Sequence, residues 1–204
     1  MGSKKKWKKY FNDDLKARLG KRAKGFEYIF NFLKEETVEP VIIETGTYRI
    51  ADNYEGDGCS TLLFDKYVEC FGGEFHSIDI DPNACKMASE NTTYTNVRQG
   101  DSIKILGEIA TFYYQLNKEV DLLYLDSFNI PNDEFKNDTI SAVHHLKELF
   151  VARHIINSDT LVVVDDNIIL DGHLRGKGRL IYEMMKAVGN EPVYTGYQLM
   201  WEGL

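Results

Sequence analysis

Long apolar runs are missing from this sequence: none exceeds four residues, as at Leu161–Val164. A membrane-spanning helix needs about 20 apolar residues and a secretory signal core about 7–15, so neither can be built. Cysteine is scarce. Cys59, Cys70 and Cys85 are odd in number and form no C-x-x-C pair, which excludes a disulfide framework and a cysteine zinc site. Basic residues are outnumbered, 24 Lys and Arg against 32 Asp and Glu, giving a formal charge of −8. The rest is ordinary globular composition: 204 residues, 43% hydrophobic and 12% aromatic, enough for one domain with its own core and hardly for two. A soluble, cytoplasmic, single-domain protein is the expectation.

The charge is unevenly placed. Residues 1–24 hold ten Lys and Arg against Asp13 and Asp14, a net of +8, while the remainder holds 14 basic and 30 acidic side chains, a net of −16. Two readings stand side by side: a basic appendage that meets an anionic surface, or a solvated terminus. The acidic body repels a polyanion, so nucleic acid is not an expected partner.

Past this arm, hydrophobic spacing alternates strand and helix. Phe26, Ile29, Phe30 and Leu33 recur at helical spacing. Residues 40–46 read as an apolar strand ending in Glu44-Thr45-Gly46. Ser60 or Thr61 is the expected N-cap of a helix over 62–71, closed by Gly72-Gly73. Strands are predicted at 74–80, 96–99, 120–125 and 161–164, with helices from Asp81-Pro82 to about residue 91, around Phe112-Tyr113-Tyr114, over 139–156 and over 180–188. Residues 193–201 suit one or two closing strands. Continuously apolar strands are those buried on both faces of a parallel sheet. The pattern predicts an α/β fold: a Rossmann-like, doubly wound, mostly parallel sheet with helices on both faces.

Ligands of such sheets bind beyond the carboxyl ends of the strands. Those ends are polar here: Glu44 to Tyr48, Asp79 and Asp81, Asp101 and Ser102, Asp126, then Asp165-Asp166-Asn167. A carboxylate after the second strand can accept both hydroxyls of a ribose, and Gly46 lets a ligand approach the backbone. Two phosphate-binding loops are absent. Gly46-Thr47-Tyr48 has an aromatic where a dinucleotide fingerprint needs its second glycine, and Gly176-Lys177-Gly178 lacks the first glycine and the final hydroxyl of a P-loop. A nucleoside without pyrophosphate fits this pattern, which points towards S-adenosylmethionine. Asp126 with Asp166 and Asn167, or with Asp165 in the alternative register, offers hard oxygen donors suited to Mg²⁺ or a similar divalent cation.

The ordered motifs ETGT at 44–47, HSIDIDP at 76–82, GDS at 100–102, LLYLDSF at 122–128 and LVVVDDN at 161–167 resemble those of the class I S-adenosylmethionine-dependent methyltransferases. More narrowly, they resemble the metal-dependent small-molecule O-methyltransferases of catechol and sugar type, from about Val41 to Trp201. The resemblance implies a methyltransferase domain over 25–204 behind a basic arm over 1–24. It implies cofactor contacts from Glu44, Thr45, Gly46, Thr47, Tyr48, Ser60, Asp79, Asp101, Ser102 and Asp126, and metal-assisted methylation of a small-molecule acceptor, a sugar or a phenol. About eight extra residues around 50–57 precede Gly58-Cys59-Ser60-Thr61 and depart from the family.

Neither family base carries over, since Phe128 and Asn129 occupy those positions. His144 and His145 on a helix, and His173 with Lys177 in a loop, are the remaining candidates for a proton acceptor. Tyr197 and Trp201 are candidate acceptor-pocket residues, and a homodimer is compatible with everything above. The rival readings are a hydroxylase-like relative of the same fold, and a non-catalytic nucleoside-binding module docking on a polyanion through the arm.

Overall fold

The computed structural model describes residues 2–36, 38–57 and 59–204, the side chains of residues 35, 36 and 133 excepted. Gly58, expected at a helix start, lies outside the described residues. Five apolar runs form parallel strands: β1 (Val41–Thr45), β2 (Glu74–Asp79), β3 (Thr95–Gln99), β4 (Leu122–Leu125) and β5 (Leu161–Val164). Two short strands, β8 (Tyr194–Thr195) and β9 (Leu199–Glu202), extend the sheet antiparallel, in the order β3-β2-β1-β4-β5-β9-β8. A separate ribbon of β6 (Asn167–Leu170) and β7 (His173–Gly176), which hydrophobic periodicity does not reveal, follows β5.

Neighbouring residues in a strand serve opposite faces. Ile42, Leu122, Tyr124 and Val163 face one core, and Ile43, Leu123, Leu125 and Val164 face the other. Helices α5 (Ser102–Gln115), α6 (Thr139–Ala152) and α7 (Arg179–Ala187) supply Leu106, Ile109, Leu149 and Ile181 to the second core. Trp201, expected near an acceptor, is fully buried there. The first core is closed by α1 (Ser3–Lys8), α2 (Ala23–Glu36) and α3 (Ser60–Phe71). The remaining helix, α4 (Pro82–Asn91), is capped by Asp81, which accepts from the Asn83 amide at 2.9 Å.

The expected division after residue 24 falls inside α2, and the nearest break in the backbone is at Gly20. Between α1 and α2 the chain continues as a wide helical segment over Lys9–Leu15 and a tight one over Lys16–Arg22, kinked at Gly20 (φ +52°). Trp7, Phe11, Leu15 and Leu19 are buried. The Trp7 ring stacks on Phe11 at 5.4 Å and meets Phe30 and Tyr67 edge-on at 4.6 and 5.0 Å. Packing of these apolar side chains outweighs the solvation preference of the surrounding basic residues, several of which find partners: Lys6 pairs with Glu69, Lys16 with Glu27 and Arg18 with Asp52. Trp7→Ala is expected to lower stability by about 3 kcal/mol in urea unfolding, whereas a solvated arm would leave it unchanged.

Candidate active site

The order of strands reverses between β1 and β4, which opens a crevice at their carboxyl ends. Gly46 leaves β1 at φ +85°, and a Cβ there would stand 2.7 Å from the Asp126 carbonyl oxygen. The glycine therefore clears the neighbouring strand as it turns into the crevice.

On one side lies a cavity of about 240 Å³ lined by Ile78, Asp79, Ile80, Asp101, Ser102, Ser127, Phe128 and His144. Its size suits a nucleoside better than a dinucleotide. The Asp79 carboxylate is fixed by the amides of Thr47 at 3.0 Å and Asp81 at 2.9 Å, one on each oxygen, which leaves each oxygen an accepting position. Asp101 caps α5 through the amides of Ile103 at 2.9 Å and Lys104 at 3.4 Å. The Ser102 hydroxyl lies 2.9 Å from His144 Nε2.

The other first-strand residues lie below this floor. Glu44 is fully buried and accepts from Ser60, from Thr61 at 2.7 Å and from Ser77 at 2.6 Å. These bonds explain why Ser60 and Thr61 do not cap α3: the cap position falls to Cys59 in a left-handed conformation, with no side-chain bond. Thr45 donates to Glu148 at 3.2 Å, and the Tyr48 ring joins the first core. Burial, assisted by Asp126, pushes the Glu44 carboxyl up to about 8 against its three hydroxyl donors. A raised native pKa means that Glu44 adds stability below its ordinary value of 4.5, and that this contribution is lost as pH rises through about 8. Between those limits the expected slope is a loss of up to about 1.4 kcal/mol per pH unit. Glu44→Gln should remove that slope from urea midpoints measured across pH 5–8, and an unchanged slope would show the carboxyl ionised throughout.

Beside this cavity a narrow cleft is lined by Gly46, Thr47, Arg49, Asp57, Ser60 and Asp126, among others. It shares Arg49 and Asp57, which form an ion pair at 2.8 Å, with a larger cavity of about 660 Å³. That cavity is lined by Lys21, Asn53, Asn129, Phe135, Asp166 and Tyr197, among others. The extra residues around 50–57 thus form part of the wall of both spaces.

The carboxylates of Asp126, Asp165 and Asp166 converge within 4.8 Å of one another. Asn167 is not among them: its amide donates to the carbonyls of Val164 and Asp165, and its oxygen accepts from the Gly178 amide at 2.8 Å. Two cations stand among the acids. Lys177 Nζ lies 2.8 Å from Asp166 and also binds Asp126. Arg22 reaches Asp165 at 2.8 Å and Asp166 at 3.0 Å, and donates to the carbonyls of Glu55 and Gly56 at 2.6 and 3.2 Å. Burial, together with Asp165 and Asp166, raises the Asp126 carboxyl to about 7 against the pull of Lys177. Burial opposes ionisation of Asp166 too, but there Lys177 and Arg22 outweigh it and hold the carboxyl well below its usual range.

No protein-family model and no curated protein matches the chain. Among solved structures it is similar to a LepI variant in complex with SAH and a substrate analogue, at 10% identity and a TM-score of 0.50, over 86% of this chain and 46% of that one. It is similar to the MycE methyltransferase from the mycinamycin biosynthetic pathway, in complex with Mg and SAH, at 17% identity and 0.47, over 69% of this chain and 31% of that one. The fibrillarin of Aeropyrum pernix with natively bound S-adenosyl-L-methionine follows at 9% and 0.48, over 86% and 74%. The chain spans about a third of the MycE chain and under half of LepI. The fold is that of the class I methyltransferases.

On this methyltransferase fold the candidate bases are dispersed. His145 is fully buried, with Nδ1 2.7 Å from the Ser141 carbonyl, and burial lowers its imidazole to about 4. His173 is exposed at the end of the β6–β7 ribbon. His144 lines the 240 Å³ cavity, and Lys177 is spent on Asp126 and Asp166. Arg22 and Arg49 were not foreseen. A fourth-residue repeat of Trp7, Phe11, Leu15 and Leu19 could have revealed the helical segment that delivers Arg22.

Proposed function

We propose that the chain is an S-adenosylmethionine-dependent methyltransferase that O-methylates a small hydroxylated acceptor, a sugar or a phenol. One observation carries the reading: Asp126, at the end of β4, lines a cleft that meets the nucleoside cavity at the Thr47–Asp79 hydrogen bond and opens, past Arg49 and Asp57, into the larger cavity. In this reading Asp79 takes the ribose hydroxyls, Ser102 and Asp101 the adenine edge, and Ile80 and Phe128 its faces. Arg49 and Asp57 match the carboxylate and ammonium of an amino-acid end. When bound, the cofactor supplies an electrophilic methyl group on a sulfonium. The chain aligns an acceptor oxygen from the larger cavity with that methyl, and the acceptor proton passes to the Asp126 carboxylate at the junction.

No described helix is long and apolar enough to cross a membrane. A polyanion-docking arm is the less favoured reading, because Trp7, Phe11, Leu15 and Leu19 pack into the domain. Isothermal titration calorimetry with S-adenosylmethionine and its demethylated product tests the proposal. Saturable binding of both is expected, and absence of binding would reject it. Methyl transfer from labelled cofactor to a hydroxyl panel then separates an O-methyltransferase from a hydroxylase-like relative by its product.

A further inference from the structure

The divalent cation expected at Asp126, Asp165 and Asp166 does not fit the cluster as this chain builds it. Lys177 Nζ donates to the Asp126 carbonyl at 3.0 Å and to the Asp126 carboxylate, and forms an ion pair with Asp166 at 2.8 Å. An ammonium has three N–H groups, and all three are engaged. Asp165 is equally committed: one oxygen accepts from Arg22 at 2.8 Å and from the Tyr124 hydroxyl at 2.6 Å, and the other from the Asp166 amide at 2.9 Å. Asp166 also accepts from Arg22 and from the Tyr197 hydroxyl. A second cation here would face the Lys177 ammonium at contact range in a poorly screened setting.

The placement of Lys177 is built into the backbone. It leaves the β7–α7 turn between two glycines that the turn requires. A Cβ at Gly176 would lie 2.1 Å from the Asp166 carbonyl oxygen, and one at Gly178 would lie 2.8 Å from Asn167 Oδ1. The Lys177 amide itself donates to the Asp166 carbonyl at 3.2 Å, and its side chain is 1% exposed. The Gly176-Lys177-Gly178 motif, which fails as a P-loop, is thus a device for aiming one ammonium at the acids.

We propose that the Lys177 ammonium occupies the position of a divalent cation, so that this crevice works without a metal. The three carboxylates outnumber the two cations, so the cluster is not over-neutralised beside a neighbouring sulfonium. The role in methyl transfer rests on the function proposed above, but occupancy by lysine does not.

Mn²⁺ titration followed by electron paramagnetic resonance, without any nucleoside, tests it. The unsubstituted chain is expected to leave Mn²⁺ free. Lys177→Ala and Lys177→Gln should each gain a site about 100-fold tighter than any in the parent, as the uncompensated carboxylates seek a counter-ion. Adding Asp166→Asn should abolish that site. Stoichiometric Mn²⁺ binding by the parent, lost in Asp126→Asn, would overturn the proposal even if neither lysine variant folds. So would folded lysine variants that bind no Mn²⁺. A failure to bind S-adenosylmethionine would reject the methyltransferase reading and leave these titrations unaffected.

Discussion

Arg22→Met is expected to lower stability by about 3–5 kcal/mol, the usual cost of removing one partner of a buried ion pair. Arg22 is 2% exposed, and its guanidinium holds Asp165, Asp166 and the backbone of Glu55 and Gly56 together. Methionine preserves much of the volume but leaves three carboxylates facing Lys177 alone. Two peptide carbonyls also lose their donor, each a further penalty if water cannot reach it. Arg22→Lys separates charge from geometry. It keeps the cation but cannot reproduce the planar fork on two acids, so an intermediate loss is expected. Urea unfolding gives the magnitude, and limited proteolysis of residues 1–22 shows whether the segment has come loose. A loss under about 1 kcal/mol for the methionine variant would mean that the cluster relaxes or protonates without its arginine.

Asp79→Ala carries the second large effect, a loss of at least about 100-fold in affinity for S-adenosylmethionine, or about 3 kcal/mol. Hydrogen bonds to a charged acceptor contribute about 1.5–3 kcal/mol each, and a carboxylate held by Thr47 and Asp81 is already oriented for two hydroxyls. Asp79→Asn keeps the shape but turns one acceptor into a donor facing an amide, so a smaller loss is expected. Calorimetric titration of the two variants beside the parent decides the matter. Unchanged affinity in Asp79→Ala would place the nucleoside elsewhere.

Much of the sheet was legible in the sequence for a simple reason. A strand buried on both faces is mostly apolar, so β4 and β5 stood out as apolar runs each ended by an acid, and β1 as an apolar run leading to Glu44. Asp81 and Asp101 were legible for a related reason, since their capping bonds reach only two or three residues ahead. Other features depend on distant partners. Glu44 reads as a ligand contact until Ser60, Thr61 and Ser77 close over it. Asn167 reads as an oxygen donor until the β5–β6 turn commits both ends of its amide to backbone. The two cations in the acid cluster come from positions 51 and 143 residues away from acids they bind, and no local periodicity encodes such a pairing. Lysines hid the N-terminal helices by marking as solvent-loving a segment whose every fourth residue is apolar.

The separation of 143 residues between Arg22 and Asp165 also bears on how the molecule is made. At a synthesis rate of about 5–20 residues per second, the arginine waits on the order of ten seconds for its acids to be translated. During that interval Trp7, Phe11 and Leu15 can pack only against what has already emerged. The crevice is therefore among the last parts of the molecule to close, long after Trp7 and Phe11 can meet Phe30 and Tyr67.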